Sequence, residues 1–354
     1  MSSLWSPDLF DIDEYVPGEQ PKDKKYIKLN TNENPYPPSE RVLEAIIAAA
    51  GDGLRLYPDP NCSELTEAAA LACGVKPEQV FMGNGSDEVL AMCFRAFFTG
   101  RGVLRMPDIS YSFYPVYAKL YGINCDIVAL SDDLSIPVEK FFNSQAGVVI
   151  ANPNAPTGIA LPAAEIGRIA ENNPGCVVLC DEAYVDFGAE SAVPLISKYN
   201  NLLIVRTLSK SASLAGLRIG WAIGDEKLIK GLNKVKNSIN SYTLDSLAQA
   251  GAAAAFKDSS YISACCAKVA QTREHTSERL KKLGFELTDS KSNFVFARHS
   301  TASAETLFSA LRQNGVLVRY FKTPRISDRL RISVGTEEDM DILIAVLERI
   351  LESL

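Results

Sequence analysis

Between about residues 40 and 245 the chain alternates short apolar runs with segments of helical length, and this alternation constrains the fold more than any other feature. The strand-like runs cover 80–82, 102–106, 148–151, 177–180, 202–205 and 219–223. Helix-length segments lie between them at 64–73, 87–98, 114–121 and 162–171. Such a pattern predicts an α/β architecture, a mostly parallel sheet covered by helices. Near residue 250 the character changes. A long helical stretch over 258–283 leads to a strand in Ser292–His299, a helix over 305–314, strands over 316–319 and 330–334, and a closing helix over 337–353. We therefore expect a large domain over 40–250 and a smaller α+β domain over 251–354. The Pro- and Asn-rich residues 1–39 should form an N-terminal arm that joins the small domain and drapes across both.

Composition removes several function classes. The net charge is −7 and no basic stripe interrupts it, so no nucleic-acid surface is expected. No run approaches the ~20 apolar residues of a membrane helix. The first fifteen residues carry early acids rather than a basic-then-apolar order, unlike a leader peptide. Eight cysteines without a CxxC pair suggest packed thiols in a reducing, cytoplasmic setting and no metal site. Of the two histidines, His275 lies in a charged helix and His299 in a polar turn, so histidine-based catalysis is not expected.

In an open α/β sheet, ligands bind beyond the carboxyl ends of the strands, so the residues following each run matter most. After 80–82 comes Gly83-Asn84-Gly85-Ser86-Asp87-Glu88 and then a helix, a place where free N–H groups can hold a phosphate. After 148–151 comes Asn152-Pro153-Asn154-Ala155-Pro156-Thr157-Gly158, a loop stiffened by two prolines. After 177–180 comes Asp181-Glu182-Ala183-Tyr184, an acid at the end of a buried strand that calls for a cationic partner. After 202–205 comes Arg206-Thr207-Leu208-Ser209-Lys210-Ser211, with Arg218 a little further on. A lysine there can form an imine with an aldehyde if burial or cationic neighbours lower its pKa. Taken singly these loops read as an N-cap, an irregular connection, a salt bridge and a solvated lysine. Together they supply a phosphate cradle, an acid for a pyridine nitrogen, a phenol and an imine lysine, the set that pyridoxal 5′-phosphate (PLP) requires.

These residues resemble the fold type I PLP-dependent aminotransferases, and closest among them the histidinol-phosphate aminotransferase family. The resemblance runs through Tyr15-Val16-Pro17-Gly18, Leu29-Asn30-Thr31-Asn32-Glu33-Asn34-Pro35, Tyr57-Pro58-Asp59, SYSFYPVY from Ser110, NPNAPTG from Asn152, DEAYVDF from Asp181, TLSKSASLAGLRIGW from Thr207, SNFVF from Ser292 and LRISVGT from Leu330. It implies that Lys210 carries PLP and shuttles a proton, that Asp181 pairs with the ring nitrogen, that Tyr184 bonds the ring 3-oxygen and that Tyr111 stacks on the ring. Gly85, Ser86, Asp87, Thr207, Ser209 and Arg218 would hold the cofactor, mostly at its phosphate. Tyr57 would reach the cofactor of a second subunit, making the protein a homodimer with shared active sites. Arg331 would grip the anionic end of the substrates, an amino donor and 2-oxoglutarate, with Tyr15, Asn34, Asn293 and Arg319 around it. One departure stands out. The superfamily's asparagine before Pro-Thr-Gly is Ala155 here, so Asn154 becomes the candidate for the ring 3-oxygen.

The implied reaction converts L-histidinol phosphate and 2-oxoglutarate into imidazole-acetol phosphate and L-glutamate, in histidine biosynthesis. An aromatic amino acid aminotransferase or a phosphothreonine decarboxylase could share the PLP site. A dinucleotide-dependent oxidoreductase would need a third glycine that Gly83–Glu88 lacks, and a non-catalytic binding module would most simply have lost Lys210 or Asp181.

Overall fold

The central strands form because their residues are apolar on both faces, which suits only a sheet covered on both sides. The computed structural model describes residues 4–6, 9 and 12–353; part of the leader-peptide reading therefore lies outside the described residues. In chain order the elements are β1 (Ile27–Lys28), α1 (Glu40–Ala49), α2 (Ser63–Cys73), β2 (Val80–Asn84), α3 (Gly85–Phe97), β3 (Val103–Pro107), α4 (Phe113–Leu120), β4 (Asn124–Val128), β5 (Gly147–Ala151) and α5 (Ala163–Glu171). They continue as β6 (Val177–Asp181), β7 (Leu202–Thr207), β8 (Ile219–Gly224), α6 (Glu226–Ile239), α7 (Ser246–Lys257), α8 (Ser259–Lys282), β9 (Phe285–Leu287), β10 (Phe294–His299), α9 (Ala304–Gln313), β11 (Val316–Leu317), β12 (Arg319–Tyr320), β13 (Leu330–Ser333) and α10 (Glu337–Glu352).

Seven strands make the main sheet, in the order β2-β8-β7-β6-β5-β3-β4. All neighbours are parallel except those of β8, which runs antiparallel to both β2 and β7. Every residue of β5 and β6 is buried. One apolar cluster packs on each face: Ile150, Val178 and Ile204 belong to one, Val149, Leu179 and Leu203 to the other. The alternation follows from the two-residue period of a strand.

All six strand-like runs of the large domain became strands. The sequence reading missed β4, an edge strand with little buried surface to mark it. Helices α1, α6 and α7 were also missed. Each is capped by an acceptor side chain, Ser39 taking the Val42 N–H, Asp225 the Lys227 N–H and Asp245 the Ala248 N–H.

The smaller unit holds an antiparallel sheet of order β12-β13-β10-β9, backed by α9 and α10 around Leu307, Leu311, Leu343 and Leu347. The strand expected over 316–319 is two strands. Val316 and Leu317 pair in parallel with Ile27 and Lys28 of β1, whereas Arg319 and Tyr320 pair with β13. The N-terminal arm is thus sewn into the small sheet system, in keeping with a division near residue 250, which we propose as the domain boundary. Arg325 fastens the loop before β13 to the large domain, donating to Asp108 Oδ2 at 2.6 Å and to the Leu130 carbonyl at 2.8 Å. His299 departs from expectation: half-buried, it donates from Nε2 to the Leu283 carbonyl and accepts the Ala302 N–H at Nδ1. It caps a turn instead of facing solvent.

The turn from β2 into α3 depends on close backbone contact. A Cβ on Gly220 of β8 would lie 2.3 Å from the Ser86 nitrogen and 2.4 Å from the Gly85 carbonyl carbon, so no side chain fits there. Gly85 itself has φ of 80°. Gly220→Ala should destabilise the protein by about 1–3 kcal/mol, because backbone cannot yield as a side chain can. It should also weaken PLP retention by displacing Ser86. Thermal denaturation and visible absorbance of the purified variant would check both.

Candidate active site

The carboxyl ends of β2, β5, β6 and β7 open into a cavity roofed by the N-terminal arm and the small domain. Its walls include Tyr15, Ser86, Asp87, Tyr111, Asp181, Tyr184, Thr207, Ser209, Lys210, Arg218, Arg319 and Arg331. Most of the residues expected from sequence are brought together here.

Asp181 and Glu182 are adjacent acids at the end of β6 that point to different fates. Glu182 is buried and conventionally satisfied: it accepts from Ser191 Oγ and the Ala192 N–H, with Arg206 Nε 3.9 Å away. Asp181 accepts only from Tyr114 Oη at 2.9 Å and the Ala183 N–H at 3.1 Å. No cation among the described residues offsets its burial, which pushes its pKa up to about 6. Such a carboxylate suits a ligand that brings its own positive charge.

Lys210 faces the same cavity. Its Nζ donates to the Thr31 carbonyl at 3.1 Å and lies 5.9 Å from the centre of the Tyr184 ring. Burial and then the Arg331 charge lower its pKa from 10.5 to about 8. At pH 7 about a tenth of such amines are neutral, against roughly one in three thousand for an unperturbed lysine. That neutral fraction is the nucleophilic one.

The other end of the cavity is a phosphate cradle. Ser86 lies in the first turn of α3, where backbone N–H groups are unpaired. Arg218 donates to Asp87 Oδ2 at 3.1 Å, and Asp87 Oδ1 accepts from Tyr111 Oη at 2.8 Å. The Asp87 carboxylate therefore orients Arg218 and Tyr111, and the groups here that suit an anion are the backbone N–H donors and the Arg218 guanidinium. Thr207 Oγ1 donates to the Ile219 carbonyl and accepts the Ser209 N–H. These contacts set the turn that presents Ser209 and Lys210.

Arg331 and Arg319 both line this cavity, and no carboxylate pairs with either among the described residues. Arg331 donates to the Asn30 carbonyl at 3.1 Å, its Nε has no partner among the described residues, and it lies over the Phe294 and Phe321 rings. Arg319 is held by the Val16 and Pro17 carbonyls. Tyr15 stacks on Phe113 at 4.4 Å and borders the same space.

Five expected residues do not line the cavity: Gly85, which opens α3 one residue before Ser86, and Asn154, Asn34, Asn293 and Tyr57. Asn154 is buried, with its amide donating to the Ile109 carbonyl and Thr157 Oγ1 and accepting from Ser110 Oγ; Ala155 lines the wall instead. The amide of Asn154 is thus occupied by its own loop and by the 109–110 segment. Asn34 donates to the Lys210 and Ser211 carbonyls, and Asn293 to the Asn32 carbonyl, so both act on backbone. Tyr57 is 80% exposed and stacks on Tyr242 at 4.6 Å, on the outer surface. Conversely, Asn32, Thr31 and Tyr114 contact Tyr184, Lys210 and Asp181 but had no assigned role. For Tyr114 a signal existed: a tyrosine amid a helix's apolar face needs an acceptor for its hydroxyl.

The donor set fits PLP. An unpaired buried acid, a glycine-lined helix start beside Arg218 and a lysine of lowered pKa match the ring nitrogen, phosphate and aldehyde respectively. Fold and site together define a fold type I PLP-dependent aminotransferase. The sequence model for aminotransferase class I and II matches residues 24–347, and the chain belongs to that family. It is 54% identical over 340 residues to the histidinol-phosphate aminotransferase of Clostridium acetobutylicum, covering 96% of this chain and 97% of that one. To the enzyme of the same name from Clostridium beijerinckii it is 51% identical over 353 residues, covering 100% and 99%. The crystal structure of histidinol-phosphate aminotransferase from Sinorhizobium meliloti in complex with pyridoxal-5′-phosphate shares the fold, with a TM-score of 0.88 at 24% identity and coverage of 100% and 99%.

A pH dependence follows from Lys210. Below about pH 8 the PLP-free protein buries this amine charged. Between about 8 and 10.5 the unfolded chain holds a proton that the folded chain does not, so stability rises with pH across that window. Lys210→Met should therefore stabilise the PLP-free protein at pH 7, by on the order of 1–3 kcal/mol, with the advantage fading toward pH 10.5. Denaturant titrations of both PLP-free proteins across that range would show it.

Proposed function

We propose that the protein transfers the amino group of L-histidinol phosphate to 2-oxoglutarate, yielding imidazole-acetol phosphate and L-glutamate, as a step of histidine biosynthesis in the cytoplasm. The observation that carries the substrate assignment is the convergence of Arg331 and Arg319 on one end of the cavity without a carboxylate partner among the described residues. Two guanidinium groups left unpaired in this way suit a doubly charged phosphate, and Arg331's planar fork also suits the carboxylate of glutamate. The full-length relatives named as histidinol-phosphate aminotransferases support the same reading.

When bound, PLP supplies an electron sink and a carrier for the amino group. The chain's residues do the rest. Asp181 keeps the ring nitrogen protonated, and its burial makes that pairing strong. Lys210 Nζ removes and returns the proton at the substrate Cα, within a site that the arm and small domain shield from water. Tyr184 would donate to the ring 3-oxygen, Ser86, Ser209 and Arg218 would hold the phosphate, and Tyr111, braced by Asp87, would pack against the ring.

The active unit in this reading is a homodimer. Tyr57 and Tyr242 stack on an exposed surface that also carries Leu54 and Leu56, an apolar patch that association would cover. Tyr57 would then reach the phosphate of the partner's cofactor.

The test is the visible absorbance of the PLP-loaded protein as L-histidinol phosphate is added, in parallel with L-phenylalanine and phosphothreonine. Bleaching by L-histidinol phosphate at low concentration and recovery with 2-oxoglutarate is the expected result. Response only to one of the other amines would overturn the substrate assignment. Arg331→Ala should raise KM for L-histidinol phosphate roughly 10- to 100-fold, the loss of one charge-assisted contact pair, with a smaller change in kcat. Steady-state kinetics on both substrates would measure it.

A further inference from the structure

Asn32 belongs to no part of the cofactor and substrate sets described above, yet it is 1% exposed and holds a left-handed backbone conformation with φ of 57°. Asparagine tolerates that region better than most residues, but a buried position there still demands support. The support is specific. The Asn32 N–H donates to Ser333 Oγ at 2.9 Å, and its carbonyl accepts from Asn293 Nδ2 at 2.9 Å. Ser333 Oγ donates its own proton to Asn32 Oδ1 at 2.8 Å.

These bonds determine which way the amide faces. Ser333 Oγ already accepts the Asn32 backbone N–H, so its proton is free for Oδ1, and Oδ1 is thereby fixed toward β13. Asn32 Nδ2 must then point the other way, where it donates to Tyr184 Oη at 3.0 Å. A phenol has one proton to give. With Nδ2–H donating to it, Tyr184 Oη is an acceptor on that side, and no acceptor for its own proton is found among the described residues. The remaining side is the cavity, which Tyr184 lines. The loop that could have offered a second donor does not: Ala155 has no polar group and Asn154 is engaged elsewhere.

We propose that Asn32 is a positioning residue that commits the Tyr184 hydroxyl to donate into the cavity, and that with PLP bound this single donor stabilises the ionised ring 3-oxygen. Ser333 sets the amide's orientation and so acts one step further back. Ser333 lies two residues from Arg331 on β13, so the strand that presents the anion grip also fixes the hydroxyl that faces the cofactor ring. The inference rests on PLP occupying this cavity and not on which amine is the substrate.

Asn32→Gly removes the amide while suiting the backbone conformation and leaving both backbone hydrogen bonds in place. The readout is the pH midpoint of the visible absorbance change of the PLP-loaded protein without substrate. Asn32→Gly should raise that midpoint by on the order of 0.5–1 pH unit, the size expected for one weakened hydrogen bond. Ser333→Ala should move it in the same direction by less. Tyr184→Phe should move it at least as far as Asn32→Gly, and adding Asn32→Gly to Tyr184→Phe should produce no further shift. A lowered melting temperature with an unmoved midpoint in both Asn32→Gly and Ser333→Ala would overturn the proposal, leaving Asn32 with a purely structural role. A full shift from Asn32→Gly that persists in the Tyr184→Phe background would also overturn it, since the effect would then not pass through Tyr184.

Discussion

The structure depends on a carboxylate left without a cation. Asp181 ends a strand whose every residue is buried, and a charge so placed is costly unless paired. Two other buried charges are paired. Arg273, also buried, donates to the Phe187 and Ser292 carbonyls and to Glu274. Glu182, one residue from Asp181, has Arg206 3.9 Å away and two hydrogen-bond donors, Ser191 Oγ and the Ala192 N–H. The incomplete groups are gathered in one place: Asp181, Lys210 and Arg331. Each lacks the opposite charge that a ligand would bring, so the cavity is a mould of that ligand in charge as well as in shape.

Holding such groups apart requires rigid surroundings, and the fold supplies them from three directions. Parallel strands present Asp181 and Lys210 from below, at neighbouring strand ends of one sheet. The start of α3 presents Ser86 at a distance set by the contact of Gly85 with Gly220. The N-terminal arm closes the top: Thr31 accepts from Lys210, Asn32 donates to Tyr184 and Asn34 donates to the backbone of Lys210 and Ser211. Because β1 of that arm pairs with β11, the arm is fastened to the small sheet system, and Arg325 ties that part to Asp108. The site is therefore complete only when arm, small domain and sheet are together.

Legibility in the sequence tracked how local each determinant is. The buried strands were readable because a strand covered on both faces is apolar throughout, and Asp181 and Lys210 were readable because they stand immediately after such runs. Edge strand β4 was not, since an edge has no need to be apolar. The break between Val316–Leu317 and Arg319–Tyr320 was hidden because one continuous extended pattern serves two different partners. Asn32 was quoted only as part of a motif. Its importance arises from Ser333 and Asn293, hundreds of residues away in the chain, and no local pattern reports such a contact.

The contrast between Asn154 and Asn32 shows how function can persist while its carrier moves along the chain. Reasoning by proximity in sequence favours Asn154, one position from the usual asparagine, yet this amide is buried and serves Ile109, Thr157 and Ser110. The donor that bears on Tyr184 arrives from the N-terminal arm. What the cavity requires is a hydroxyl whose proton is directed inward. Any amide that occupies the hydroxyl's acceptor side meets that requirement, from whichever segment it comes. The constraint acts on the direction of a hydrogen bond, and the sequence position of the residue that sets it is secondary.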